Sequence, residues 1–469
     1  MNLLNDKFKD ECGVFAIYDN NDSLDVSRLI YLSLYALQHR GQESCGISVS
    51  NGQAIDTYKD AGFVCDVFDN DILASLKGNL GIGHVRYSKT DSNILENCQP
   101  ISVEYKDGSM AVAHNGNLTN SKELRQQMAA DGSVFITGNN TELILKYICK
   151  YLVESTSIQE AVAKTMKKIQ GAYAVVMVMK DKLVAFRDPL GIRPLCVGKL
   201  KKSYMISSES CSFAVLNGQM IRDIDPGEII VIDDKGLHSY PTNCCPPNKE
   251  NSALCVFEYV YFARPDSCID GASVHQSRLE AGKRLADKLP VAADLVISVP
   301  DSANSAALGY ARQSGIPYGH GLIRNRYVGR TFIQPTQDLR DAAVRMKLSV
   351  MTDEIAGKRI IMVDDSIVRG TTTGIIVKML KEAGAKEVHI RICSPPVKYP
   401  CYYGINTAKK AQLVASKLTT DEIAAMVGVD SLGYLSVEDL LETPIGVRLG
   451  LCDACFTGNY RVPKSDLED

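Results

Sequence analysis

Tryptophan, a surplus of charge of either sign and long apolar runs are all missing from this chain of 469 residues. The formal net charge of −3 gives no electrostatic reason to expect nucleic acid or an anionic membrane as a partner. No window approaches the ~20 apolar residues that a membrane-spanning helix needs. Residues 1–11 mix lysines with acidic residues and lack the apolar core of a secretory signal. These absences predict a cytoplasmic protein.

Cysteine is plentiful, with 15 residues in the chain. A reducing compartment and a chain of this length argue against a disulfide framework. Most of these residues are therefore expected to be small, buried, unpaired thiols. The remaining few are candidates for a metal site and for one nucleophile.

The length exceeds that of one typical domain, so two or more domains are expected. The best boundary is 238–253, which is rich in Pro, Asn and Ser and lies between two strand-like runs, 228–233 and 254–262. The predicted division is a leader at 1–11, a first domain at 12–242 and a second domain at 250–469.

The first half has the pattern of many short strands with few helices. Hydrophobic periodicity predicts helices at 26–40 and 141–156 and strands at 78–88, 109–116 and 172–188, the last being a hairpin.

The second half instead alternates apolar strands with helices. Strands are predicted at 293–300, 359–365 and 387–396, with helices at 302–315 and 373–385. This alternation is typical of an α/β domain with a parallel sheet between helix layers.

The stretch RIIMVDDSIVRGTTTG, 359–374, is the most informative part of the second half. An apolar strand ends in Asp364 and Asp365, and a loop with Gly370 leads into a helix. Backbone amides at such a helix start form an anion site, and ligands bind at the carboxyl ends of strands in open α/β sheets. Two carboxylates would repel a bare phosphate, but they suit ribose hydroxyls or a Mg²⁺ ion.

This stretch resembles the ribose-binding loop of the type I phosphoribosyltransferases, whose substrate is phosphoribosyl pyrophosphate (PRPP). The resemblance implies that the two acids hold the ribose hydroxyls and that the loop binds the 5-phosphate. It implies Mg²⁺ near Ser302, Asp364 and Asp365. The implied PRPP-binding residues are Asp364, Asp365, Ser366, Arg369, Gly370, Thr371, Thr372, Thr373, Arg324 and Arg326.

The arginine-rich segment 323–347 has two interpretations. One is a lid that closes over pyrophosphate and excludes water. The other is a solvated basic loop, which is the simpler interpretation for the outer arginines.

Several short motifs in the first half occur together behind Cys12. ALQHRGQESCGI contains Arg40, GHVRYSKTD contains His84 and Arg86, and AHNGNL contains Asn115. Together with RDPLGIRPL at 187–195, they resemble the class II glutamine amidotransferases. That resemblance implies an α+β N-terminal-nucleophile domain, in which two stacked antiparallel sheets lie between helix layers.

The chemistry explains why Cys12 follows a leader. Amide hydrolysis needs a nucleophile, a base and donors for the oxyanion. A cysteine at a free N-terminus supplies nucleophile and base, because its α-amine titrates near ~8. The resemblance therefore implies that 1–11 is a propeptide removed to expose Cys12. The alternative, a buried core cysteine, is the usual state of a lone cysteine.

By the same resemblance, the side chain of Asn115 and the backbone of Gly116 form the oxyanion hole, while Arg86, Arg40 and Asn140 belong to the glutamine site. The family has Ser-Asp-Ser/Thr-Glu where this chain has Asn-Asn-Thr-Glu at 139–142. Asn140 thus replaces the aspartate that meets the substrate ammonium. It can still accept a hydrogen bond, but charge-assisted bonds are roughly twice as strong.

The combination of both halves resembles the glutamine PRPP amidotransferase family, in particular its branch with a propeptide and an iron–sulfur cluster. The implied reaction opens de novo purine synthesis. Glutamine-derived ammonia displaces pyrophosphate from PRPP, giving 5-phosphoribosylamine, glutamate and pyrophosphate. The resemblance also implies feedback inhibition by purine nucleotides and a homo-oligomer, either a tetramer or a dimer.

Four cysteines match the cluster positions of that branch, and they lie in the predicted second domain and its C-terminal segment. A [4Fe–4S] cluster takes four thiolates, but a structural zinc also fits four cysteines, so chemistry alone leaves both open. These residues are Cys255, Cys401, Cys452 and Cys455.

Two other functions compete with this interpretation. Another class II amidotransferase, such as glucosamine-6-phosphate synthase or asparagine synthetase, would not need the phosphate loop at 364–373. A non-catalytic nucleotide-binding regulator would keep the fold and lose glutamine turnover, and only Asn140 favours it.

Overall fold

The computed structural model describes residues 12–21, 23–87, 95–243, 245–325, 327, 344–405, 407 and 409–463. The predicted leader, Arg326 and most of the arginine-rich segment 323–347 lie outside these ranges. Every helix in the described ranges is too short or too polar to traverse a lipid bilayer.

The first domain contains two antiparallel sheets. The strands of the first sheet are β1 (Gly13–Tyr18), β2 (Ser44–Ser50), β3 (Ile55–Ala61), β4 (Leu80–Arg86), β9 (Cys196–Leu200), β10 (Ser203–Ser207) and β11 (Gln219–Asp223). Their order is β11-β9-β10-β1-β4-β2-β3. The strands of the second sheet are β5 (Ile101–Tyr105), β6 (Gly108–Leu118), β7 (Gly171–Met179), β8 (Leu183–Arg187), β12 (Glu228–Asp233) and β13 (Gly236–Pro241). Their order is β13-β12-β8-β7-β6-β5.

Helices cover the outer face of each sheet. The helices against the first sheet are α1 (Val26–Ala36), α2 (Val64–Val67), α3 (Asn70–Ser75) and α7 (Cys211–Val215), and those against the second are α4 (Ser121–Ala130), α5 (Asn140–Leu152) and α6 (Ile158–Lys168). Alternate residues of the strands, such as Ala16, Ile82 and Val176, fill the layer between the sheets. The predicted α+β sandwich and the hairpin at 172–188 are confirmed.

The second domain is built on a four-stranded parallel sheet. Its strands, in spatial order, are β17 (Leu295–Ser298), β20 (Arg359–Asp364), β21 (Glu387–Ile392) and β22 (Ser431–Tyr434). The strands β17, β20 and β21 are buried on both faces, as expected when helices cover both sides. The predicted parallel α/β architecture is therefore confirmed.

Helices pack on both faces of this sheet. Those of the second domain are α8 (Val274–Lys288), α9 (Asn304–Ser314), α10 (Thr352–Ile355), α11 (Thr371–Glu382), α12 (Thr420–Val427), α13 (Val437–Leu441) and α14 (Ala454–Thr457), with 3-10 turns at Lys410–Gln412 and Val414–Ser416. The remaining short strands are β14 (Leu254–Cys255), β15 (Cys268–Ile269), β16 (Ala272–Ser273), β18 (Leu322–Arg324), β19 (Leu348–Val350) and β23 (Leu451–Cys452).

The strand-like pattern at 254–262 predicts a strand, and this prediction is wrong beyond the first two residues. Only β14 pairs, with β23, and the chain then turns into a π-helix at Glu258–Phe262. Four of the five residues of this π-helix are buried, and periodicity cannot distinguish a strand from a helix when a segment is enclosed on every side.

Three fully buried arginines join the two domains. Arg40 pairs with Glu258, Arg187 forms two hydrogen bonds with Asp270, and Arg193 Nε donates to the Tyr403 carbonyl at 2.9 Å. Because these contacts are out of water, the halves pack as one body around this junction.

Candidate active site

Cys12 precedes β1, a central strand of the first sheet. Gly13 pairs with Val85, so Cys12 lies beside Arg86 at the end of β4. Its Sγ is 3.9 Å from the Tyr87 carbonyl oxygen. Burial raises the pKa of the Cys12 thiol, against a hydrogen bond with the Tyr87 backbone and the charges of Arg86 and Arg40. The thiol is therefore protonated at neutral pH and needs a base to become a nucleophile.

Arg40 contacts the backbone of Cys12 and two buried carboxylates. Its Nε donates to the Cys12 carbonyl at 3.2 Å, while Nη1 donates to Glu209 at 2.6 Å and Nη2 to Glu258 at 2.8 Å. Burial acts to lower the pKa of Arg40, but Glu258 and Glu209 outweigh it and raise that pKa. The sequence-based expectation put Arg40 in the glutamine site. The guanidinium is held by these carboxylates, so its contact with the site runs through the nucleophile.

Asn115 lies on β6, in the second sheet, and is almost fully buried. Its Nδ2 has no hydrogen-bond partner in the described structure. At the next position, Gly116 has φ +135°, and a Cβ there would lie 2.0 Å from the Ala172 carbonyl oxygen. Only glycine fits this backbone. A buried amide donor without a partner calls for an explanation, and an oxyanion that forms only during the reaction would supply one.

A histidine bridge ties the two sheets together beneath these residues. His84, two residues before Arg86 on β4, contacts the His114 carbonyl through Nε2 at 3.2 Å. Burial, reinforced by the charge of Arg86, lowers the pKa of His84 to about 3. The imidazole is therefore neutral, and it holds the strand of Arg86 against the strand of Asn115.

Asn140, the first residue of α5, contacts a neighbour that the sequence analysis did not single out. Its Nδ2 donates to Asn117 Oδ1 at 2.9 Å, and Asn117 Nδ2 donates to the Tyr402 carbonyl at 2.9 Å. Asn117 is separated from Tyr402 by 285 positions, so no local pattern could have indicated this contact.

The predicted PRPP-binding acids lie together at the end of β20. Asp364, Asp365 and Ser366 are buried, and Ser302 from the neighbouring loop donates its Oγ hydrogen to Asp365 at 2.5 Å. Ser366 donates to the same carboxylate at 2.6 Å. Two loops that follow adjacent parallel strands thus meet at this edge of the sheet.

The loop after these acids leaves donors available. Gly370, at φ +84°, starts α11, and as a glycine it supplies no side-chain cap to that helix. Arg369 donates from Nη2 to Gln412, while its buried Nε and Nη1 have no partner in the described residues. A glycine at a helix start and a guanidinium with two unpartnered nitrogens are features of an anion site.

Arg324 lies at the end of β18 and is half-exposed. Its Nη1 is 3.3 Å from Asp301, in the same loop as Ser302. The other predicted lid arginine, Arg326, lies outside the described residues.

A small cavity of about 10 Å³, with room for about one water, adjoins Asp365. Arg278 lines it and donates to the Tyr259 and Ala263 carbonyls at 2.7 and 2.8 Å. Burial lowers the pKa of Arg278, against the charge of Asp365. The sequence analysis missed this residue because α8 carries no motif there.

Three of the four predicted cluster cysteines lie in one buried core, and the partly buried Cys401 packs against it. Cys255 and Cys452 are register partners of β14 and β23, Cys455 lies in α14, and Cys401 Sγ accepts a hydrogen bond from the Tyr403 N–H at 3.3 Å. Burial raises the pKa of Cys452 to about 12. In the part of the chain that is described, no three His, Cys, Asp or Glu side chains are arranged to hold a single metal ion.

Comparison with known proteins identifies the family. The glutamine amidotransferase domain family matches residues 84–214. The amidophosphoribosyltransferase of Methanocaldococcus jannaschii is 49% identical over 96% of this chain and 97% of its own length, and that of Bacillus subtilis is 44% identical over 96% and 94%.

A solved structure agrees over the whole chain. The glutamine PRPP amidotransferase from B. subtilis, complexed with ADP and GMP, superposes with a TM-score of 0.89 at 43% identity, covering 97% of this chain and 98% of that one. Both domains are therefore present, in the same arrangement. The chain belongs to the amidophosphoribosyltransferase family, the glutamine-dependent transferases that catalyse the first step of purine biosynthesis.

Proposed function

We propose that the two candidate sites carry the two half-reactions of an amidophosphoribosyltransferase. Cys12 Sγ attacks the glutamine amide carbon, and the C–N bond breaks to give a γ-glutamyl thioester and ammonia. Water then releases glutamate. At the second site ammonia attacks C1 of the ribose, and the C–O bond to pyrophosphate breaks, leaving 5-phosphoribosylamine.

The observation that carries the proposal is the buried, unpartnered Nδ2 of Asn115. Together with the Gly116 backbone it would stabilise the oxyanion on the amide carbon. Arg86 would bind the glutamine carboxylate. The raised pKa of the Cys12 thiol supports the need for an adjacent base, which the α-amine would supply once residues 1–11 are removed.

At the second site, Asp364 and Asp365 would hold the ribose hydroxyls, and the start of α11 would hold the 5-phosphate. Carboxylate and hydroxyl oxygens are the ligands that Mg²⁺ prefers, so Asp364, Asp365 and Ser302 fit a magnesium ion that accompanies the pyrophosphate. When bound, the ion would neutralise charge on the leaving group.

Cys255, Cys401, Cys452 and Cys455 are the proposed ligands of a [4Fe–4S] cluster, with zinc as the alternative. Thiolates are the ligands that such a group takes, three of these cysteines lie in one buried core with Cys401 packed against it, and N–H donation to a sulfur is typical of such surroundings. When bound, the group would cross-link separate segments of the second domain. Anaerobic purification followed by iron, sulfide and zinc analysis distinguishes the two metals.

Regulation, assembly and location complete the proposal. The structure of the B. subtilis relative contains ADP and GMP, which supports inhibition by purine nucleotides. Light scattering tests the expected tetramer or dimer. The expected location is the cytoplasm, whose reducing conditions would keep the Cys12 thiol available.

The test is pyrophosphate release from PRPP with Mg²⁺, comparing glutamine with ammonia as nitrogen source. The protein is prepared anaerobically, and intact mass establishes whether it begins at Cys12. We expect activity with both sources. No activity with either source from a processed, metal-loaded chain would contradict the proposal and favour the nucleotide-binding regulator.

A further inference from the structure

A hydrogen-bond relay runs from the second domain to the proposed glutamine site. The Tyr402 carbonyl accepts from Asn117 Nδ2 at 2.9 Å, and Asn117 Oδ1 accepts from Asn140 Nδ2 at 2.9 Å. The relay therefore consists of one backbone carbonyl and two side-chain amides in series.

The direction of this relay is set by its first member. A backbone carbonyl can only accept hydrogen bonds, so Asn117 must turn its NH₂ group toward Tyr402 and its oxygen toward Asn140. Asn140 must then turn its own NH₂ group toward Asn117. As a result, Asn140 Oδ1 points away from the relay, and no described residue donates to it.

The spacing between Asn115 and Asn117 matches the length of an extended glutamine side chain. Asn115 and Asn117 lie on the same face of β6, two residues and about 7 Å apart. An amide oxygen held at Asn115 and an α-ammonium held beside Asn117 are therefore separated by a distance that an extended glutamine side chain can span.

The acidic residue closest to Asn140 in the sequence does not supply the negative charge that an aspartate would carry at position 140. Glu142 is the acidic residue in the first turn of α5. Its carboxylate accepts from the Ile136 N–H and from the N–H and Oγ1 of Thr137. The oxygen of Asn140 is thus the acceptor that this helix end presents to a substrate ammonium.

We propose that Asn117 is a specificity-determining residue for glutamine, because it orients Asn140 so that the amide oxygen faces the α-ammonium of the substrate. The Tyr402 carbonyl sets this orientation from the second domain. The inference rests on the proposed function of the glutamine site.

An asparagine side chain accepts a hydrogen bond only when its oxygen, and not its NH₂ group, faces the donor. An aspartate presents an oxygen in both orientations of its carboxylate. Asn117→Ala should therefore raise the glutamine KM about fivefold, the equivalent of one hydrogen bond. Asn140→Asp alone should also raise KM, since its carboxylate would face Asn117 Oδ1. The double variant removes that repulsion and needs no orientation, so its KM should fall to the wild-type value or below.

The experiment measures glutamine KM for the four combinations, each relative to its own ammonia-dependent rate, which monitors folding. A substrate lacking the α-amino group, 4-carbamoylbutanoate, is the second readout, and Asn117→Ala should leave its KM within twofold. The exposed Asn20→Ala is the matched control.

Any one of three results would overturn the inference. They are KM changes that add in the double variant, a lower glutamine KM in Asn140→Asp alone, and a KM for 4-carbamoylbutanoate that rises in Asn117→Ala as much as the glutamine KM does. If the processed wild-type chain hydrolyses no glutamine, the proposed function of this site fails and the inference fails with it. If the wild-type chain hydrolyses glutamine but the KM changes of the two single variants simply add in the double variant, only the inference is wrong.

Discussion

Two of the buried residues whose polar atoms have no partner in the described structure lie where ligands are expected. Asn115 Nδ2 lies in the domain of Cys12, and Arg369 Nε and Nη1 lie at the phosphate loop. Leaving such a group unpaired costs roughly 1–3 kcal/mol, and at these two places a bound ligand would supply the partner. At the residue scale, these atoms are the strongest indication of function.

Replacing Asn115 should reduce glutamine use specifically. In Asn115→Ala we expect the ratio of glutamine-dependent to ammonia-dependent kcat to fall about 10²–10³-fold, because one oxyanion donor is lost. Parallel assays of pyrophosphate release with both nitrogen sources measure the ratio. An unchanged ratio would show that Asn115 does not contact the oxyanion.

His84 should make the folded state sensitive to acid. Its pKa is lowered to about 3 in the folded protein, against an ordinary value of about 6.5 in the unfolded chain. Between these values the unfolded chain binds more protons, so stability falls as pH falls from about 6.5 toward 3. His84→Gln should reduce that slope, as measured by urea unfolding at pH 5 and pH 7.5. An equal slope in both proteins would contradict this prediction.

At the element scale, helix starts and turns decide where ligands can approach. Gly370 begins α11 at φ +84°, and a Cβ there would lie 2.6 Å from Met426 Cε. A capping box formed by Thr419 and Glu422 satisfies the start of α12. In contrast, the residue at the start of α11 is a glycine, which supplies no side-chain cap.

Gly370→Ala should weaken PRPP binding by distorting this loop. A left-handed backbone costs a non-glycine residue about 1–2 kcal/mol, and the end of the Met426 side chain would also have to move aside. We expect PRPP KM to rise at least tenfold in assays with ammonia.

Gly315→Ala is the matched control. Gly315 has φ +73° at the end of α9, but open space surrounds its Cβ position. Gly315→Ala should therefore lower the free energy of unfolding by a similar amount, with little change in the PRPP KM. Equal KM changes in both variants would mean that the effect is general destabilisation.

At the scale of the whole molecule, buried ion pairs join the domains and reach the nucleophile. Arg40 touches Cys12, and its charge is held by Glu258 across the junction. Removing one partner of a buried pair is far more costly than removing a surface pair. The glutaminase site therefore depends on a residue of the second domain.

Glu258→Gln should lower glutaminase activity and stability together. We expect a loss of about 1–3 kcal/mol in unfolding free energy, because Glu209 still compensates part of the Arg40 charge. Glutaminase kcat should fall in parallel. Unfolding curves and glutamate release measure the two effects.

Glu280→Gln, at the ion pairs of α8 with Lys283 and Arg284, is the control. Surface pairs contribute about 1 kcal/mol or less, so both properties should stay near wild type. Glutaminase loss of similar size in this variant would contradict the role of Glu258.

Local patterns in the sequence determined most of the elements and the residues at strand ends. The hairpin, the parallel sheet, Asp364 with Asp365, and the glycine before α11 all follow from periodicity and turn chemistry, which act over a few neighbouring residues. The resemblance in short motifs indicated Cys12, Arg86 and Asn115 as one site. The roles of those residues stay predictions.

Only the tertiary structure decided which distant groups meet. Arg40 and Glu258 are separated by 218 positions, and Asn117 and Tyr402 by 285. The π-helix replaced the predicted strand at 254–262 for the same reason, since burial on all sides removes the periodic signal. Partner choice for a buried charge or amide depends on the packing of every element around it, and no short stretch of sequence contains that information.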